Sequence, residues 1–164
     1  MFHQLLVAID DSPSTPVTLS FATALAQRDG ASVHVLHANR MLFGGRGITE
    51  IADTDAALLV EGAVTQLVGQ GVSATGSVTR AMSFTIGRVV AVAAHSRRCD
   101  AIVIGSRRRS RAAHPFGRGT RERIIRSATL PVLTAPAPLQ LPGRRRRPGM
   151  ALLPTRRAGT PVDR

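Results

Sequence analysis

Apolar residues fall in short blocks separated by polar turns, and the blocks alternate between strand and helix periods. Residues 4–9 (Gln-Leu-Leu-Val-Ala-Ile) form a continuous apolar run, the pattern of a strand buried on both faces. Asp10-Asp11-Ser12-Pro13 ends it with turn residues. A helix is expected to about Asp29, with Val17, Leu19, Phe21, Ala22, Leu25 and Ala26 toward the core. Two starts fit: Ser12 capping with Pro13 first in the helix, or Thr15 capping with Pro16 first. The second is cleaner, because Pro16 inside a helix begun at Pro13 would strain its opening turn. Gly30 is the expected stop.

Ala31 to Ala38 reads as a second strand, with His34 and His37 on opposite faces. Asn39 to Asp53 holds Gly44, Gly45 and Gly47 and reads as a mobile loop. Asp55 to Gln70 has helical spacing at Ala56, Leu59, Val60, Ala63, Val64 and Leu67, and Gly71 closes it. Val72 to Thr79 alternates weakly, as a third strand toward a sheet edge. Ser83 to Arg97 is strongly periodic at Phe84, Ile86, Val89, Val90, Ala93 and Ala94. Ala101 to Gly105 is a buried strand. A Gly- and Arg-rich loop follows, then a helix from Arg118 or Gly119 to Ala128 with Ile124 and Ile125 inward, then a strand at Pro131–Ala135. Strict alternation of strand and helix predicts an α/β fold: a Rossmann-like three-layer sandwich around a five-stranded parallel sheet, with right-handed crossovers.

Composition sharpens this picture. With 43 % apolar residues, 3 % aromatic and neither Trp nor Tyr, the core must be aliphatic, which suits a helix-covered parallel sheet. Cys99 is the single cysteine, so no intramolecular disulfide forms. No stretch has the apolar length of a membrane span, and the first residues lack a signal-peptide pattern; a cytoplasmic location without a membrane partner is expected. The net charge of +12 is uneven. Residues 1–96 hold five Arg against seven acids, whereas 97–164 hold seventeen Arg against three. Lysine is absent, and this reliance on arginine with abundant alanine matches a GC-rich coding bias. That weakens the reading of each Arg as chosen for phosphate. A domain over residues 1–136 is expected. Residues 137–164, with five Pro and the run Arg144, Arg145, Arg146 and Arg147, form a basic tail expected to be disordered.

LLVAIDDSPSTPVTL resembles the opening strand and helix of the universal stress protein family. VHVLHA is similar to its second strand, and CDAIVIGSRRRSR with RIIRSATLPVLTAP to its last helix and strands. The resemblance implies the sandwich fold, a homodimer paired through the final strand and, in one branch, binding of ATP or a related adenine nucleotide. That branch carries Gly, two residues, Gly, nine residues, then Gly-Ser or Gly-Thr. Gly105 matches the first glycine. Arg108 stands at the second, where close backbone approach to phosphate is wanted. Arg118-Gly119 falls where Gly-Ser belongs, and Gly119-Thr120 matches after a shift of one.

Asp10 stands at the carboxyl end of the first strand, where open α/β sheets place ligands. The resemblance puts it beside adenine or ribose; the alternative is a turn aspartate serving local N–H groups. Ala8, Asp10, Ala38, Gly105, Ser106, Arg108, Gly117, Gly119 and Thr120 form the candidate nucleotide site. Arg108 can offer a guanidinium fork in place of an N–H. Thr120 or Gly119 also serves as a plain helix cap. Asp10 and Asp11 are the nearby carboxylates for a magnesium ion carried with ATP. His34 and His37 share no face with further ligands, so no metal site is expected. Cys99 beside Arg97 and Arg98 has either a lowered pKa or a purely structural place, and no role is assigned to it. No nucleophile–base arrangement or GxxxxGK[ST] loop is present, so slow nucleotide hydrolysis or none is expected. The alternative function is a non-nucleotide adaptor, or a module binding nucleic acid or another polyanion nonspecifically through the basic carboxyl half and Arg144 to Arg147.

Overall fold

The computed structural model describes residues 1–44, 47–49, 53–106 and 119–137. The strands are β1 (Gln4–Ile9), β2 (Ser32–Gly44), β3 (Gly47–Thr49), β4 (Ala74–Met82), β5 (Ala101–Ile104) and β6 (Val132–Thr134). The helices are α1 (Thr15–Asp29), α2 (Asp53–Gly69), α3 (Ile86–Ser96) and α4 (Thr120–Ser127). Five strands pair in parallel in the order β4-β2-β1-β5-β6. The expected parallel α/β sandwich is therefore the observed fold.

Alternation along β1 sorts the core into two layers. Leu5, Val7 and Ile9 face α1 and α2, packing with Leu19, Ala22, Val60 and Leu67. Leu6 faces α3 and α4, packing with Leu36, Val90, Ile102 and Ile124. β1 is central and a helical layer covers each of its faces, which is why residues 4–9 read as an unbroken apolar run.

The structure corrects several expectations. The stretch expected as a loop from Asn39 continues β2 instead: Asn39, Arg40 and Met41 pair with Arg80, Ala81 and Met82 of β4. Leu42–Gly44 then pairs antiparallel with β3, closing at Gly44–Gly47. Glycines that suggested a loop sit at the closing pair of a hairpin. The third strand starts two residues later than expected and runs to Met82, at the sheet edge as expected.

The cap of α1 is Ser14, so Pro16 is second in the helix rather than first. Thr15 does not cap; its hydroxyl donates to the Asp10 carbonyl at 2.5 Å. Gly30 ends α1 with φ 68°, as expected.

Phe84 is 72 % exposed, because α3 begins only at Ile86 and the turn before it breaks the helical phase. Ile124 is buried but Ile125 is 45 % exposed: adjacent residues stand about 100° apart on a helix, so only one can face the sheet. Gly87 sets the spacing of α3 and α4, since a Cβ there would collide with the Arg123 backbone carbonyl. Across the same contact Arg123 donates to the Ser83 carbonyl at 2.6 Å.

His34 is buried between β2 and the edge strand β4. Its Nδ1 lies 2.8 Å from the Thr75 hydroxyl and its Nε2 2.8 Å from the Ser77 hydroxyl. Burial, then the nearby Arg97 charge, lowers its pKa, so the neutral ring fits this place.

Candidate functional site

Strand order places a topological switch beside β1. The chain leaves β1 for β2 and β4 on one side, and later adds β5 and β6 on the other. β1 runs on into α1 on one face of the sheet, and α4, which follows β5, packs on the other, so the carboxyl ends of these two strands mark the place where open α/β sheets take ligands.

Asp10 follows the end of β1, exposed. Its Oδ1 accepts the Ser12 N–H at 3.1 Å, the Asx-turn role offered by its sequence position. Only that oxygen has a hydrogen bond among the described residues, counting the longer 3.5 Å approach of the Thr15 hydroxyl.

Gly105 and Ser106 follow the end of β5. A Cβ at Gly105 would lie 3.0 Å from both the Ser14 Oγ and the Thr18 Oγ1. Glycine thus lets β5 exit tightly against the start of α1. The Ser106 hydroxyl is buried and has no hydrogen-bond partner among the described residues.

The first turn of α1 packs hydroxyls beside these strand ends. Ser12, Ser14, Thr15 and Thr18 are all buried. Ser12 Oγ and Ser14 Oγ share a hydrogen bond at 2.7 Å, which explains why Ser14 caps without bonding the helix. Thr18 donates to the Ser14 carbonyl at 2.9 Å.

This hydroxyl cluster was not singled out from sequence. The signal was the spacing of Ser12, Ser14, Thr15 and Thr18, of which only Ser12 and Thr15 were considered, as caps. His37, also buried, was read only for metal. Its Nδ1 lies 3.1 Å from the Ile9 carbonyl, so Nδ1 is the donor there and Nε2 is the ring nitrogen left over. That Nε2 is buried without a partner among the described residues.

Other candidates fall around this frame. Ala8 pairs in register with Leu36 and Ile104 and packs on the layer of α3 and α4. Ala38 follows His37 on β2, opposite Thr79, and alternation sets it on the same face as Ala8. Because α4 connects the parallel strands β5 and β6, it starts at the carboxyl edge of the sheet.

Gly119 is its N-cap, at φ −61°, a conformation any residue adopts, and Thr120 is the first helical residue. The cap position falls to Gly119 and not to Thr120, and no side chain bonds the helix start there. Glu122 leans back toward Gly119, with Oε2 about where a side chain there would stand. Arg108, Gly117 and the tail from 138 onward, including Arg144 to Arg147, lie outside the described residues.

Of the two alternatives for Cys99, the structure favours the structural one. It is buried, and burial, with a contribution from Asp100, pushes its thiol up to about 11 despite Arg97. Among the described residues, no group of three His, Cys, Asp or Glu side chains could hold a metal ion.

A hollow of about 440 Å3 lies at the opposite, amino-terminal ends of the strands, lined by Gln27, Ser32, Gln70 and Ser73 among others. Gln27, Gln70 and Ser32 there are each hydrogen-bonded within the protein. Gln27 donates to the Gln70 carbonyl at 2.7 Å, Thr23 to Gln70 Oε1 at 2.8 Å, and Ser32 to Gln4 Oε1 at 2.7 Å.

Comparison with known proteins fits this geometry. The family model described as the universal stress protein family matches residues 1–136. A universal stress protein from Archaeoglobus fulgidus, solved in complex with dAMP, is 24 % identical with a TM-score of 0.63; the match covers 82 % of this chain and 98 % of that one. A second structure of a universal stress protein from the same organism is 25 % identical with a TM-score of 0.63, over 83 % of this chain and 100 % of that one. A universal stress protein in complex with cAMP is 15 % identical with a TM-score of 0.64, over 81 % and 95 % of the two chains. No curated protein matches.

Proposed function

The chain belongs to the universal stress protein family, and on that premise we propose that it is a regulatory module binding an adenine nucleotide at the carboxyl ends of β1 and β5. The observation that carries the proposal is the open accounting of polar groups there. Asp10 keeps a carboxylate oxygen free of hydrogen bonds among the described residues, and the Ser106 hydroxyl is buried without a partner among them. A ligand with hydroxyl, amine and phosphate groups supplies what both lack.

In this reading Asp10 accepts from ribose or the base, and Ala8 and Ala38 give the base an apolar floor. Gly105 and Ser106 donate to phosphate, together with the amino terminus of α4 at Gly119 and Thr120. Arg108 and Gly117 complete the set by sequence position. A magnesium ion, where one accompanies ATP, arrives on the phosphates with Asp10 as the nearest carboxylate. The dAMP and cAMP complexes of the structural neighbours support the nucleotide class.

The proposal extends to a homodimer through β6. That strand pairs only with β5 among the described residues, its Val132, Leu133 and Thr134 stay half-buried, and Ile125 is exposed on the helix that precedes it. A cytoplasmic stress-response role rests on the family alone.

Calorimetry with ATP on the full chain tests the ligand. Saturable heat is expected, with affinity reduced about tenfold or more in Asp10→Ala. Absent heat, or heat indifferent to that substitution, removes the nucleotide reading.

A further inference from the structure

The two helical layers carry opposite charge. α1 and α2 hold Arg28 against Asp29, Asp53, Asp55 and Glu61. α3 and α4 hold Arg88, Arg121, Arg123 and Arg126 against Glu122, and Arg97 and Arg98 follow α3 directly.

The outward side of α3 is a mixed stripe. Ile86, Val90 and Ala94 are buried toward the sheet. Arg88, Val92 and His95 recur at helical spacing on the opposite side, all exposed, with Val92 at 58 %. Phe84, in the turn before α3, is exposed as well, and Arg126 is exposed on the neighbouring α4. Among the described residues, Arg88, Arg97, Arg98 and Arg126 make no ion pair.

α2 provides an internal contrast. Its outward side also shows exposed apolar residues, Leu58 at 61 % and Val68 at 55 %, but between them stands Glu61. Exposed apolar residues alone therefore do not distinguish the layers; their company of arginine does.

We propose that the outward face of α3 and α4 docks on an anionic lipid bilayer, with Arg88 and Arg126 on the headgroups and Phe84 and Val92 at the acyl boundary. A nucleic-acid duplex would use the arginines but keeps its bases stacked inside, out of reach of Phe84 and Val92, so those two side chains would gain nothing there. A bilayer interface uses both kinds of group at once. The association is peripheral, since no described helix is long and apolar enough to cross a membrane. The arginines at 107–111 and 144–147 add to the long-range attraction.

The test is cosedimentation of the full chain with phosphatidylcholine vesicles, with and without phosphatidylserine, beside a duplex DNA titration in the same buffer. The chain should bind the phosphatidylserine vesicles selectively and lose about tenfold or more in Arg88→Glu/Arg126→Glu. Phe84→Ser/Val92→Ser should weaken binding by a factor that added salt does not change, while Leu58→Ser/Val68→Ser should leave it intact. Circular dichroism melts confirm that each variant is folded. No selectivity for phosphatidylserine overturns the proposal, as does binding indifferent to Arg88→Glu/Arg126→Glu, the result expected if the tail acts alone. Tighter binding to DNA with the Phe84 and Val92 changes silent also overturns it, in favour of a nucleic-acid surface.

Discussion

The two ends of the sheet use the same residue types to opposite purpose. At the amino-terminal end, Asp100 accepts the backbone N–H groups of His3 and Gln4, and its own N–H bonds the Gln4 carbonyl at 2.8 Å. Asp29 accepts the Phe2 N–H at 2.9 Å and pairs with Arg28. Both carboxylates are held below their ordinary pKa: Asp29 first by Arg28 and then by Phe2, Asp100 by the Gln4 and His3 N–H groups. At the carboxyl-terminal end Asp10 serves one turn, and the Ser106 hydroxyl has no partner among the described residues. An aspartate whose oxygens are spent on distant backbone is a staple. One with capacity left over, at a switch point, is a candidate for a ligand.

Removing the staple should give the largest effect. Asp100→Ala leaves the N–H groups of His3 and Gln4 without their acceptor and should cost about 1–3 kcal/mol in urea unfolding. Nucleotide affinity should not change; if it falls in parallel, the two ends are not separable. The same staple predicts acid sensitivity. Because the folded pKa values of Asp100 and Asp29 lie below the unfolded value of 3.8, their stabilisation is complete above that pH and is lost as pH falls below it. Asp100→Asn should flatten that limb of the stability profile.

A smaller effect comes from His34. Its folded pKa lies below the unfolded 6.5, so stability is complete above about that pH and declines as pH falls through it. His34→Gln should remove this dependence between neutral pH and the carboxylate range, measured by thermal melts across pH. A dependence that persists would place it on another group. The smallest effect is at Arg98, which follows α3 at φ 53°, a conformation that suits glycine. Arg98→Gly should stabilise the chain by up to about 1 kcal/mol, and a loss of stability would show that its side chain outweighs the backbone strain.

The strands beside β1 were legible because burial on both faces leaves an unbroken apolar run, as in Leu5–Ile9 and Ala101–Ile104. The extension of β2 was not, since Asn39 to Gly44 carries no such run and its pairing with β4 and β3 is a long-range fact. Phe84 and Ile125 were assigned inward because periodicity fixes a face only once the helix start and its phase are known. Of the candidate site, Asp10 and Gly105 stand at strand ends where their sequence positions put them. The hydroxyls of Ser14 and Thr18 were missed, because only the meeting of α1 with the exit of β5 gives them a shared place.

The nucleotide proposal is tested most directly by following backbone amide resonances of the full chain during an ATP titration. Shifts should concentrate at Asp10, Gly105, Ser106, Gly119 and Thr120, while Ser32, Gln70, Gly71 and Ser73 at the opposite end stay unmoved. Shifts centred on the amino-terminal hollow, or none at either end, would contradict the account.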